Sequence, residues 1–390
     1  MSEHEAASDP PPRSTTSPLP KRRRSARRAF LAGAGAGAAG LLAACRRDGA
    51  TRAAAVHTGR RVNWTLASSF PSSLDAMYGP TQVLKRSLEE MSGGAFTLDT
   101  FQAGELVGGL EVLDAIQAGA IQVGHTASYY FIGKRRALAF DTCVPFGLTA
   151  RQHQAWQRYG GGLETVRKLY ADFGVIHFPG GNTGAQMGGW FRDPVETPAD
   201  LEGLRMRIPG MGGQVMDMLG ASTQVLAGGE IYTALETARI DATEWVGPYD
   251  DERLGFYKKV KNYYYPGWWE PGPELVYQVS RHDWERLPAE YQAMFEAATR
   301  VAAADMLQRY DALNPAALDR LVAAGVVLRP FSDALMSAAA EASEDYLSTQ
   351  AAADPDFAAV LEPWRAFRRA SNSWFGTAEL EYARSAHRRS

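Results

Sequence analysis

The sequence predicts an α/β protein of two lobes that hinge about a cleft and end in long helices. Three observations predict it. Between residues 61 and 125, alternating apolar runs and helical-period runs succeed one another at the spacing of βαβ units. A second block of the same kind occupies 173–246. From Leu287 onward, apolar positions recur at helical spacing, interrupted mainly by Pro and Gly.

The chain begins with an export leader that is not part of the fold. Lys21 to Arg28 forms a cationic head. Its pair Arg27-Arg28, with Ser25 before and Phe30-Leu31 after, suits a twin-arginine export signal. The weakly apolar stretch Leu31–Ala44 is shorter than the roughly 20 residues a membrane span needs, so it reads as a cleaved signal. It closes on Leu42-Ala43-Ala44-Cys45, a lipobox pattern that makes Cys45 the candidate lipidated residue and sets the signal at 1–45. Cleavage near Ala53-Ala54-Ala55 is the alternative and leaves the protein untethered. Residues 46–60 read as a polar tether.

Composition is that of an ordinary globular protein, 45% hydrophobic and 22% charged. Net charge is -3, and the leader is basic, so the remainder is more acidic still. That argues against a nucleic-acid surface, which needs clustered Lys and Arg. With Cys45 consumed, Cys143 stands alone. No disulfide framework exists, and Cys143 reads as buried packing.

Lobe 1 is expected over 61–172. Its strands are Arg61–Ala67, Phe96–Phe101 and Ile121–His125; its helices are Leu74–Met91, stopped by Ser92-Gly93-Gly94, and Leu110–Ala118, closed by Gly119. Lobe 2 is expected over 173–265, with strands Phe173–Phe178, Gly188–Phe191, Gly203–Pro209, Ser222–Leu226 and Ala242–Val246. Helices Gly212–Leu219 and Ile231–Ala238 lie between them. Residues 266–373 are expected to return to lobe 1 and supply the tail, with helices Pro288–Leu313, Ala316–Ala324, Asp333–Ala352 and Ala358–Tyr382. Val326-Val327-Leu328 interrupts them, and 374–390 form a C-terminal extension. Ligands of such folds lie between lobes, near the carboxyl ends of strands.

Gly-x-Ser-x-Gly, His-Glu-x-x-His, the phosphate-binding loop and Cys-x-x-Cys are all missing. Three segments stand out instead. In Gly180–Phe191 the glycines allow backbone to approach a ligand closely. Leu204-Arg205-Met206-Arg207-Ile208-Pro209-Gly210 is an Arg-bearing strand whose planar guanidinium groups match a carboxylate, although such arginines are usually at the surface or salt-bridged. Asp241–Pro248 and Tyr263–Glu270 mix acids with large aromatics, which otherwise read as core or interface. Glu244 beside Trp245, and Glu270 beside Trp269, must be solvated, paired or bound to a cation, because an unpaired buried carboxylate is costly.

At these segments the chain resembles the substrate-binding subunits of tripartite ATP-independent periplasmic (TRAP) transporters, the DctP-type family. Within it, the branch that binds 2-oxo acids or lactate with a metal ion is the most similar. The matching stretches are Gly181–Phe191, Gly203–Gly210, Asp241–Trp245 and Pro266–Glu270, within a resemblance running from about Trp64 to about Ser373. The resemblance implies a periplasmic-binding-protein-like clamshell closing on a small organic anion. It places Arg207 on the substrate carboxylate. It places Na⁺ or Ca²⁺ between ligand and protein, held by Gln186, Glu244, the Trp245 carbonyl and Glu270. An all-oxygen set of this kind suits hard cations rather than Zn²⁺.

Phe70, Tyr129, Tyr130 and the Trp268-Trp269 pair are candidate walls. The implied partners are the TRAP membrane subunits and, through the C-terminal helices, a second copy of the chain. Pyruvate, longer 2-oxo acids, lactate and halogenated aromatic acids remain open as ligands. A different class of function, a periplasmic carbohydrate-active enzyme, would use Glu244 and Glu270 as paired carboxylates amid stacking aromatics.

Overall fold

Alternation of Trp64 and Leu66 with Asn63 and Thr65 makes β1 (Val62–Ser68) a strand with one fully buried face. The computed structural model describes residues 60–387, so the signal, Cys45 and all of the tether but Arg60 lie outside the described residues. α1 (Asp75–Ser92), β2 (Phe96–Phe101), α2 (Val112–Gln117) and β3 (Val123–Thr126) follow in the expected alternation. Gly93, at φ +63°, ends α1 in the left-handed conformation that favours glycine. β1 lies between β2 and β3 and is parallel to both.

α3 (Ala150–Tyr159) and α4 (Gly162–Tyr170) were not evident from the alternation pattern. α3 opens with a capping box in which the Thr149 N–H donates to Gln152 Oε1 at 2.9 Å. β4 (Val175–Asn182) corrects a boundary, because the sequence reading starts lobe 2 at residue 173. The strand instead completes the first sheet, antiparallel to Glu274–Ser280. Apolar packing explains the difference: Phe178 meets Trp284 at 4.7 Å and Phe295 at 5.3 Å, under the first sheet.

The second sheet begins at β5 (Trp190–Phe191). It continues with β6 (Arg205–Arg207), α5 (Gly210–Met218), β7 (Ser222–Gln224), α6 (Gly228–Glu236), β8 (Ala242–Thr243), α7 (Pro248–Leu254) and β9 (Asn262–Tyr265). The chain then re-enters the first sheet as β10 (Glu274–Ser280), whose order is β2-β1-β3-β10-β4. The sequence reading had no strand there.

α8 (Ala289–Ala323) runs unbroken through Pro315, where a break was expected. Proline removes one N–H and crowds the carbonyl four residues earlier. Buried Met306, Tyr310, Ala317 and Leu321 on either side hold the helix in place. β11 (Val327–Pro330) then lies parallel to β9, giving the second sheet the order β11-β9-β5-β8-β6-β7. The segment 266–373 therefore does not simply return to lobe 1. α9 (Asp333–Ala353) packs on α5, and α10 (Pro355–Phe375) on α3 and α4. A π-helical turn, Gly376–Leu380, leads into α11 (Glu381–His387), so the C-terminal extension is helical. No helix among the described residues is long and apolar enough to cross a membrane.

Two irregular segments, 183–189 and 266–273, carry the chain between the sheets. They are bonded to each other: Gln186 N–H donates to the Glu270 carbonyl at 3.2 Å, and Gly267 N–H to the Gln186 carbonyl at 2.9 Å.

Candidate functional site

β6 separates its two arginines by exposure. Arg205 is exposed and pairs with Asp241 at 2.6 Å, whereas Arg207 is 1% exposed. Its Nε donates to the Leu226 carbonyl at 3.1 Å, and Nη1 reaches both the Glu244 carbonyl, at 3.3 Å, and the Glu244 carboxylate. The guanidinium also lies 5.1 Å from the centre of the Trp245 ring. Arg207 Nη2 has no hydrogen-bond partner.

Glu244 is fully buried and lies just past the end of β8. That strand stops at Thr243, short of the expected Val246, where Glu244 N–H turns to the Arg207 carbonyl. Gln186 and Glu270 come from the two crossing segments. The Gln186 amide donates to Thr183 Oγ1 at 3.1 Å. Gln186 Oε1, Glu244 Oε2 and Glu270 Oε2 are buried without a hydrogen-bond partner.

Between the sheets lies a narrow cavity. It is lined by Phe70, Met77, Tyr129, Tyr130, Thr183, Gln186, Arg207, Trp245, Val246, Pro273 and Leu275. Phe70 faces Trp245 edge-on across it, at 6.4 Å. Trp268 is not among the lining residues; it stacks on Phe146 at 5.4 Å and packs against Trp269. A wider groove, between α3, α4, β4 and α8, contains none of the expected site residues.

Burial pushes the Glu244 and Glu270 carboxyls upward. The Arg207 charge pulls both back, while Glu244 pushes Glu270 further up. Burial works against the Arg207 charge, yet Glu244 holds the guanidinium above its ordinary value. The pair is thus a salt bridge shielded from water, where breaking one partner is expensive. Among the described residues, no three His, Cys, Asp or Glu side chains are grouped as a metal cluster. Any cation here needs amide or carbonyl oxygens as well.

Two glycines of 180–189 are required by packing. A Cβ on Gly181 would collide with Met306 Sδ of α8, and one on Gly189, at φ +79°, with the Thr243 carbonyl. At these two positions glycine permits close packing, of β4 on α8 and of the crossing segment on β8.

Sequence reasoning missed the support beneath Trp245. Asp250 accepts from Tyr310 at 2.7 Å and from the Trp245 indole at 3.4 Å. Asp251 accepts from Tyr263 at 2.7 Å and Trp190 at 2.9 Å. Burial raises these carboxyls to about 7 and about 6 respectively. Adjacent acids in the first turn of a short helix read as dipole partners, and nothing local signals their burial. Met77, Pro273 and Leu275 were missed too; Met77 and Leu275 are ordinary core residue types.

Two sheets joined by bonded crossing segments, with a buried guanidinium in the cavity between them, define a two-lobed receptor for a small solute. The chain belongs to the DctP family, bacterial extracellular solute-binding proteins of family 7, whose profile matches residues 67–354. A monocarboxylate 2-oxoacid-binding periplasmic protein of Nostoc sp. is 51% identical over 82% of this chain and 88% of its own length. A TRAP transporter solute-binding protein of Bordetella bronchiseptica, solved as a dimer with calcium and picolinate, is 42% identical. It covers 85% of this chain and 99% of its own, with a TM-score of 0.83. A TRAP periplasmic solute-binding protein of Pseudoalteromonas atlantica, solved with sodium and pyruvate, is 38% identical. It covers 84% of this chain and 99% of its own, with a TM-score of 0.82.

Proposed function

We propose that this chain captures a small 2-oxo monocarboxylate, such as pyruvate, together with a bridging Na⁺ or Ca²⁺, and presents it to TRAP membrane subunits. One observation carries the reading: Arg207 is enclosed in the inter-sheet cavity with Nη2 unpartnered beside buried carboxylates. A guanidinium so placed offers its free Nη2 N–H groups to a ligand carboxylate in a charge-assisted hydrogen bond. Tyr129, Tyr130 and Phe70 exclude water, and Met77 and Leu275 give the ligand an apolar wall.

The cation has a physical reason. Arg207 is already neutralised by Glu244, so an incoming carboxylate adds an uncompensated negative charge to a dry site. The orphaned oxygens of Gln186, Glu244 and Glu270, with the Trp245 carbonyl, form a set that hard cations prefer. When bound, the ion would supply charge neutralisation between these residues and the ligand. Contacts from both lobes at once favour the closed arrangement as a population shift.

Isothermal titration of the purified protein with pyruvate tests this, with Ca²⁺, with Na⁺ and in cation-depleted buffer. Cation-dependent binding is expected. Absence of binding, or equal affinity without either ion, rejects the reading. Family membership and the neighbours lend no support to glycoside cleavage by Glu244 and Glu270, and Glu244 is engaged by Arg207.

The basic leader supports export by the twin-arginine route, with Cys45 as lipid anchor or removed with the signal. Exposed Trp374, Leu380 and Tyr382 near the C-terminus, and the dimeric Bordetella neighbour, support a homodimer through the C-terminal helices.

A further inference from the structure

The cleft is spanned at a second place, outside the cavity. Asp75, the first residue of α1, belongs to the lobe of the first sheet. Tyr249 and Arg253 lie on α7, between β8 and β9 of the second. Tyr249 Oη donates to Asp75 Oδ1 at 3.0 Å, and Arg253 Nη2 lies 3.3 Å from the same oxygen. Arg253 also stacks on the Tyr249 ring at 3.8 Å. Arg309 of α8 donates to Asp75 Oδ2 at 2.6 Å. One carboxylate thus collects donors from the other lobe and from the helix that runs along both.

We propose that Asp75 is a closure latch that sets how long the ligand is retained. This rests on the carboxylate-capture reading. Asp75 is a positioning residue, separated in sequence by one short turn from Phe70 of the cavity wall. On the other side, α7 follows directly from Trp245-Val246, and Asp251 accepts from Val246 N–H at 3.3 Å. Gripping α7 therefore holds the segment that carries Glu244 and Trp245 against the first lobe. When the lobes part, Asp75 keeps Arg309 but loses Tyr249 and Arg253. The latch adds to the closed state only, and so slows release without touching the ligand.

Stopped-flow release of pyruvate from the Ca²⁺-loaded full-length protein, followed by tryptophan fluorescence, is the test. Partly exposed ion pairs and hydrogen bonds are individually modest, so Asp75→Ala should speed release about tenfold and Tyr249→Phe about threefold, with association nearly unchanged. Release within twofold of wild type in both variants overturns the latch. Arg207→Ala separates the two readings: its loss of binding leaves the capture reading intact whatever Asp75 does. If wild-type protein binds no pyruvate, that reading fails and the latch is judged by small-angle scattering without added ligand. A larger radius of gyration in Asp75→Ala then supports it, and an unchanged radius overturns it.

Discussion

Asn182 donates a hydrogen bond of 2.9 Å to Glu274 at the point where β4 and β10 leave the first sheet. Glu274 is fully buried and its other oxygen has no partner. Burial pushes its carboxyl up to about 8; the Asn182 bond opposes this and the Asp141 charge adds to it.

A pH dependence follows. The unfolded carboxyl has its ordinary value of 4.5, so between there and about 8 the folded protein holds a proton that the unfolded chain has lost. The stability from this group is complete below 4.5 and is lost as pH rises through 8. Glu274→Gln should flatten that part of the profile and raise the melting temperature at pH 8. Calorimetry across pH 5 to 8 checks it, and an unchanged slope would contradict the assignment.

Arg207→Ala leaves Glu244 buried and unpaired. Breaking such a pair costs about 3–5 kcal/mol of stability, and pyruvate affinity should fall by at least about 100-fold. Arg207→Lys keeps the charge but cannot hold the Leu226 carbonyl, Glu244 and a ligand with separate N–H groups at once, so it should recover stability better than affinity. Denaturant titration and calorimetric binding, run on the same samples, separate the two losses.

Tyr310→Phe removes the 2.7 Å donor to Asp250. A buried acceptor left short of a partner costs about 1–3 kcal/mol. Because Asp250 also holds the Trp245 indole, tryptophan emission should shift even where the fold survives. An unaltered spectrum would show that Asp250 does not orient the ring.

Cation removal by chelator and dialysis into potassium buffer should weaken pyruvate binding about tenfold or more. Glu270→Gln should reduce that dependence on the cation while leaving Arg207 paired with Glu244. Titration of the variant with and without Ca²⁺ distinguishes loss of the ion from loss of the ligand.

Much of the architecture was legible because strands and helices announce themselves by period. β1, β2 and α1 are amphipathic, and Gly93 and Gly119 mark helix ends. The lobe boundary at residue 173 was misplaced because pairing of β4 with β10 spans nearly a hundred residues, and nothing local records it. Pro315 misled because propensity gives way to tertiary packing on both sides of the ring. In the site, Gln186 entered only through the family resemblance, whereas Arg207, Glu244 and Trp245 drew notice as charged or aromatic types in unusual company. Met77 and Leu275 did not, since an apolar residue facing a cavity resembles one facing a core. Trp268 erred in the opposite direction: its neighbours in sequence point to the cavity, yet its ring packs on Phe146.

α8 is the feature with the widest reach. Its 35 residues span about 52 Å at the usual rise per residue. It packs on α1 and β4, and Arg320 near its end grips Glu252 of α7 at 2.6 Å. Neither lobe can melt without stripping this helix of part of its packing. Heating should therefore give one cooperative calorimetric peak, with calorimetric and van't Hoff enthalpies in agreement, rather than a separate transition for each lobe.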